Sequence, residues 1–302
     1  MTVESDSKTL ERLDEQEGHE GALPKSLEFY RGLLRIQSAA ESRIGAVELN
    51  LSGETIGDRI RHGTPVLGFD DLAIDWSLLQ NVFDEVAALF ASYQEVLREV
   101  PENLGGADHR LSPSKEVVQA WYEGARLPLP KATSDTGEAL LTLIIHGAFR
   151  PFLIRHCEAL LKLVNLEQWR RGYCPICGGN PDFAFLDKER GGRWLVCSRC
   201  DAEWPFQRLQ CPYCGTQNQD DLAYFTDDKG LYRLHVCERC RSYLKTIDLR
   251  QTEDEILLPL ERYLTLDIDT QAHNDGYRPG SASRKEEGGE TMRGNSAKGD
   301  ES

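Results

Sequence analysis

Eight of the nine cysteines lie between Cys174 and Cys240 as four Cys-x-x-Cys pairs: Cys174/Cys177, Cys197/Cys200, Cys211/Cys214 and Cys237/Cys240. Two thiolates three positions apart on a tight turn can face one metal ion, and two such turns supply the four sulfurs of a closed tetrahedral site. Four pairs therefore predict two metal sites. The rival chemistry for paired cysteines is disulfide formation. The chain opens with a polar, acidic stretch in place of the basic-then-apolar pattern of a secretion signal, which predicts a cytoplasmic protein with reduced thiols.

The pairs alternate in kind. The first and third read Cys-Pro-Ile-Cys-Gly and Cys-Pro-Tyr-Cys-Gly, with Pro175 or Pro212 opening the turn and Gly178 or Gly215 closing it. Proline fixes φ, and glycine reaches the positive φ that aims backbone N–H groups at sulfur. The region is also duplicated: Arg-x-x-Val-Cys-x-Arg-Cys occurs at Arg193–Cys200 and again at Arg233–Cys240. Between the knuckles of each repeat lie short apolar runs and turn residues, Phe183–Leu186 before Gly191-Gly192 and Leu222–Phe225 before Lys229-Gly230. These read as hairpins, with Trp204–Leu209 and Tyr243–Leu249 as third strands. Each repeat is then one metal unit, so Cys174/Cys177 should join Cys197/Cys200, and Cys211/Cys214 should join Cys237/Cys240. A cross-braced grouping, first pair with third and second with fourth, is the rival, because spacing alone does not assign partners.

Charge narrows the function classes. The 302 residues carry a net charge of −15, and Gly172–Arg250 contains 11 basic and 11 acidic residues. Nucleic acid is not an expected partner, since phosphate binding needs clustered lysine and arginine. A nucleic-acid-binding zinc ribbon is the weakest of the functional alternatives. No uninterrupted apolar run reaches the roughly 18 residues of a membrane span, so no membrane insertion is expected.

The first half reads as helical. Residues 1–22 are acidic and poor in apolar groups and are expected to be a disordered tail. A helical pattern begins after Pro24. The strongest runs from Trp76 to Val100, with Asp75 as N-cap and Pro101 as stop. Ser114 caps a shorter helix, and Asp135-Thr-Gly-Glu138 has the order of a capping box before a long apolar helix. Pro151 should kink that helix or divide it. His146, His156 and Cys157 on it read as packed core residues, Cys157 as a small hydrophobe. The expected organisation is a helical domain over 23–169, a duplicated metal-binding domain over 170–250 (174–210 and 211–250), a C-terminal helix over 251–273 and a disordered tail over 274–302.

The two Cys-Pro-x-Cys-Gly repeats behind a helical half, Cys197–Cys200 running into Glu203-Trp204, Cys240–Lys245, and the later Leu266-Asp267 and Gly276-Tyr277-Arg278 resemble the formate dehydrogenase accessory protein FdhE family. The resemblance implies an α+β protein: an N-terminal α-helical domain followed by two tandem rubredoxin-like, zinc-ribbon-like four-cysteine units. It implies a non-enzymatic maturation factor that binds the catalytic subunit of a formate dehydrogenase, with iron as the cofactor. It carries the ligand role onto Cys174, Cys177, Cys197, Cys200, Cys211, Cys214, Cys237 and Cys240. Zinc is the alternative, because four thiolates suit either ion. The functional alternative is a redox protein passing electrons to or from a partner enzyme. Arg199 and Arg239, inside the trailing knuckles, would then set positive charge beside sulfur. A homodimer is compatible with all of these readings.

Overall fold

The computed structural model describes residues 2–93, 113–131 and 133–280. Six helices come first: α1 (Thr2–Glu20), α2 (Lys25–Ile44), α3 (Gly53–His62), α4 (Trp76–Ser92), α5 (Lys115–Glu123) and α6 (Asp135–Leu161). Strands β1 (Pro181–Leu186), β2 (Arg193–Cys197), β3 (Glu203–Phe206), β4 (Leu222–Thr226), β5 (Tyr232–Cys237) and β6 (Ser242–Asp248) follow. Helices α7 (Leu258–Leu264) and α8 (Leu266–Asn274) and the short strand β7 (Arg278–Pro279) close the described chain.

Local chemistry explains most of the helix starts. Asp75 caps α4 by accepting from the Leu78 amide at 2.9 Å, and Ser114 caps α5 by accepting from Val117. The cap of α6 is Ser134, which accepts from Gly137, one position before the Asp135 start expected from sequence. The expected end of α4 at Val100 lies outside the described residues.

Helix α6 runs through Pro151 as one helix, so the expected restart does not occur. Proline removes the hydrogen bond that the Gly147 carbonyl would have received. That carbonyl accepts instead from the Gln37 side-chain amide of α2, at 2.9 Å. Three helices pack tightly at the same turn, since a Cβ on Gly147 would meet Val86 at 3.2 Å and Leu33 at 3.3 Å.

The acidic N-terminal stretch is helix α1, not a disordered tail. Leu13 packs with Leu23, Leu27, Tyr30, Leu34, Leu257 and Leu260. Its carboxylates find cations on other elements: Asp14 and Glu17 pair with Arg31, and Asp6 pairs with Arg150. Order comes from groups distant in sequence, which a compositional argument does not see.

The six main strands form one sheet in the order β3-β2-β1-β6-β5-β4. Each repeat contributes an antiparallel meander. A parallel pairing of β1 with β6, from Phe183↔Lys245 to Leu186↔Asp248, joins the two. Strand β7 pairs with β6 at Ser242 and Tyr243, so the chain is ordered past the expected tail start at 274. Residues 281–302 lie outside the described residues. The expected C-terminal helix over 251–273 is two helices that meet at Thr265.

The main hydrophobic core crosses the expected boundary at residue 169. It runs from Leu79, Val86, Phe149 and Leu153 of the helices to Ile176, Leu195, Ala202 and Trp204 of the first metal unit. The first unit is thus part of the helical body, and the second is attached through the sheet and through Leu244 and Tyr213, which reach the same core.

Candidate metal centres

Each leading knuckle is closed by a backbone hydrogen bond from the residue after it, Gly178 N to the Cys174 carbonyl and Gly215 N to the Cys211 carbonyl. Both glycines have the expected positive φ, 72° and 74°. In the trailing knuckles the equivalent position holds Asp201 and Arg241, each at φ 54°. Non-glycine residues are uncommon there, and Arg241 closes its knuckle by donating its amide to the Cys237 carbonyl at 2.8 Å.

The sulfurs gather sequentially. Cys174, Cys177, Cys197 and Cys200 form one group, and Cys211, Cys214, Cys237 and Cys240 the other, with all four sulfurs of each within 4.8 Å of one another. In the first group Cys174 Sγ lies 3.6 Å from Cys200 Sγ and Cys177 Sγ 3.5 Å from Cys197 Sγ. In the second, the Cys211–Cys240 and Cys214–Cys237 separations are both 3.7 Å. A tetrahedral ion with metal–sulfur bonds of about 2.3 Å spaces its ligands about 3.8 Å apart, so the cradle fits a four-thiolate metal. The cross-braced grouping does not occur.

Backbone amides converge on the sulfurs. Ile176 N and Cys177 N donate to Cys174 Sγ at 3.3 and 3.5 Å, and Arg199 N donates to Cys197 Sγ at 3.3 Å. Such bonds favour thiolate over thiol. Hydrogen bonds from Cys174, Cys197 and Cys200 hold the Cys177 thiol well below its usual range, while burial pushes Cys174 and Cys200 up. In the second group burial pushes Cys237 up to about 11.

The two sites differ in exposure. All four cysteines of the first are buried, whereas Cys214 and Cys240 of the second are partly exposed. The helical half grips the first knuckle directly: Val66 N and Leu67 N donate to the carbonyls of Pro175 and Ile176 at 2.8 and 2.9 Å. Arg199 does not aim its guanidinium at sulfur. It donates to the carbonyls of Tyr122 and Trp121 at the end of α5 and stacks on Trp121, where it acts as a C-cap. Arg239 is exposed.

His156 is a satisfied core residue, accepting from Ala73 N at 3.0 Å at Nε2 and donating from Nδ1 to the Phe152 carbonyl at 2.7 Å. His146 packs edge-on against Trp121, and burial lowers its pKa to about 4. Cys157 is fully buried, as a small hydrophobe would be.

The sequence pattern missed a buried ionic cluster behind the second knuckle. Asp201 pairs with Arg150 of α6 and with Arg262 of α7, both at 2.5 Å. Arg150 also holds Asp6 at 2.9 Å, and Arg262 holds Asp182 at 3.0 Å and donates to the Cys197 carbonyl. Three regions of the chain thus meet on one knuckle. The available signal was Asp201 itself, standing where the leading knuckles have glycine. A cavity of about 410 Å³ opens beside the cluster and touches both units, through Ser198 of the first and Tyr213 of the second.

Residues 173–208 match the family model described as the FdhE central domain, which is the first metal unit. The chain is 26% identical to the "Protein FdhE homolog" of Aquifex aeolicus over 83% of this chain and 84% of that one. It is 27% identical to the homolog of Pseudomonas aeruginosa, covering 86% and 82%. With the homolog of Shewanella oneidensis it shares 36% identity over half of each chain. The crystal structure of the FdhE protein from Pseudomonas aeruginosa superposes with a TM-score of 0.60 over 92% of this chain and 94% of that one, at 24% identity, and shares the fold. Knuckle unit and near-full-length relatives point the same way: the chain is similar to FdhE proteins along most of its length and shares their fold.

Proposed function

We propose that this chain is a non-enzymatic accessory factor that binds the catalytic subunit of a formate dehydrogenase during maturation, in the cytoplasm. The observation that carries the reading is the pair of pre-shaped four-sulfur cradles bound into one sheet, within the FdhE fold. The eight cysteines hold one metal ion in each cradle, iron by the family resemblance. A bound ion stabilises the short hairpins, because binding free energy in such small units is largely folding free energy. Four thiolates leave no open coordination position for a substrate, so the units serve as rigid presenting surfaces.

The test has two parts. The purified chain should retain a tagged formate dehydrogenase catalytic subunit on a column, and loss of the chain should lower dehydrogenase activity without lowering subunit abundance. Unchanged activity in the deletion strain rejects the reading.

The exposure difference favours a second reading for one site. Cys214 and Cys240 reach solvent, so the second site is open to electron exchange with a partner, whereas the first is sealed. With iron bound, this reading requires a thiolate-to-iron absorption band that bleaches reversibly with a mild reductant. A colourless protein containing zinc reduces both sites to scaffolding.

A further inference from the structure

The two edges of the sheet are treated differently. At one end, β3 carries Pro205, and Trp204 is anchored by donating its indole N–H to the Arg171 carbonyl at 3.0 Å. A proline on an outer strand and a covering segment are the usual protections against strand addition. At the other end β4 is bare, with Ala223, Tyr224, Phe225 and Thr226 all exposed. Tyr224 and Phe225, on opposite faces, are 55% and 56% accessible.

The backbone phase of β4 is set at both ends. Glu238 N donates to the Asp221 carbonyl at 2.8 Å, and Asp227 N donates to the Tyr232 carbonyl at 3.2 Å. With Leu222 opposite Cys237 and Tyr224 opposite His235, the antiparallel alternation turns the N–H and C=O groups of Leu222, Tyr224 and Thr226 outward. The edge is a template for another strand, one residue pairing away from a ligand of the second metal site.

Charge decides what that strand can be. Asp220 and Asp221 precede β4, and Asp227 and Asp228 follow it. None of the four is ion-paired among the described residues, and Lys229 is the nearest cation in sequence. Two copies of β4 pairing antiparallel about Tyr224 would set Asp220 against Asp228 and Asp221 against Asp227, twice over. Like charges directly opposite destabilise a strand pair, so the edge repels its own copy and favours cations.

We propose that β4 is the docking edge for an extended segment of a partner polypeptide, apolar in its middle and bearing lysine or arginine opposite both aspartate pairs. Affinity comes from main-chain hydrogen bonds to Leu222, Tyr224 and Thr226, and selectivity from the flanking charges. The inference rests on the docking role proposed above only for the identity of the partner.

The probe is a nonapeptide, acetyl-Lys-Arg-Val-Thr-Val-Thr-Val-Arg-Lys-amide, titrated into the metal-loaded full chain by calorimetry and followed by amide NMR shifts. Its counterpart replaces every cation with glutamate. The basic peptide should bind at least tenfold more tightly than the acidic one, weaken as salt rises, and shift amides in and beside β4. Tyr224→Pro removes an outward donor at a position where proline is compatible with an edge strand, and Tyr224→Ala removes only the side chain. Binding should be at least tenfold weaker for Tyr224→Pro than for Tyr224→Ala, with metal content unchanged in both. Asp220→Lys with Asp228→Lys should reverse the peptide preference.

Equal affinity for the two peptides, or equal affinity of the two Tyr224 variants, overturns the proposal. So does a concentration-dependent dimer that Tyr224→Pro dissolves, which would make β4 a self-interface. If Tyr224→Pro and Tyr224→Ala retain the dehydrogenase subunit equally well, the docking edge falls and the accessory role stands. Peptide binding at β4 without retention of that subunit leaves the edge standing and rejects the assigned partner.

Discussion

Asp201 sits at φ 54°, in a left-handed turn that costs any non-glycine residue about 1 kcal/mol or more. Its carboxylate joins Arg150 and Arg262. Burial alone would raise its pKa, but the two guanidiniums outweigh that effect and hold it below the usual range. A depressed folded pKa contributes stability above the unfolded value near 4 and loses it as pH falls through the folded value. Arg150→Ala leaves Asp6 and Asp201 buried without their shared cation, and should cost about 3–5 kcal/mol in urea unfolding at pH 7. Glu41 has the opposite sign. It is buried, neither carboxylate oxygen has a partner, and burial with the nearby Asp6 charge raises its pKa to about 8. Its contribution is full below the unfolded pKa near 4.5 and is lost as pH rises through about 8. Glu41→Gln should therefore be near neutral at pH 5 and stabilise by about 2–4 kcal/mol at pH 9, as read from melting curves at the two pH values.

Among the elements, α6 is where pattern and packing disagree most. Proline at 151 reads as a helix break by local rules, yet the helix continues because Gln37 satisfies the Gly147 carbonyl that Pro151 leaves open. Gln37→Leu should cost about 1–3 kcal/mol by leaving that carbonyl buried and unpaired. In a Pro151→Ala background the helix supplies its own donor, and the same change should cost at least 1 kcal/mol less; a double-mutant cycle in urea measures the difference. The starts of α4 and α5 were legible because Asp75 and Ser114 act on their own helices. The order of α1 was not, because it depends on Leu257, Leu260 and Arg150, more than a hundred residues away.

Across the whole molecule the duplicated units are unequal, although their sequences repeat. The first is built into the main core, whereas the second joins it through the β1–β6 pairing and adds only Leu244 to its buried residues. Cys174→Ser with Cys177→Ser should therefore lower the melting temperature of the whole protein. Cys211→Ser with Cys214→Ser should remove about half the metal and leave the helical body folded, as shown by near-ultraviolet dichroism and elemental analysis. Metal release to a chelator should be biphasic, with the partly exposed second site emptying first. A single release phase would mean that the two sites are equivalent.

By itself the sequence determined the two sulfur groups, the hairpins between them and the capped helices, because each depends on residues within about forty positions and on turn chemistry that acts locally. Even the grouping of the cysteine pairs followed from the repeat. Tertiary structure decided the rest: the order of α1, the continuity of α6, the position of Arg199 on α5, the ionic cluster behind Asp201 and the bare edge at β4. Each depends on which distant groups share a desolvated contact, and burial and charge pairing across the fold leave little trace in local spacing.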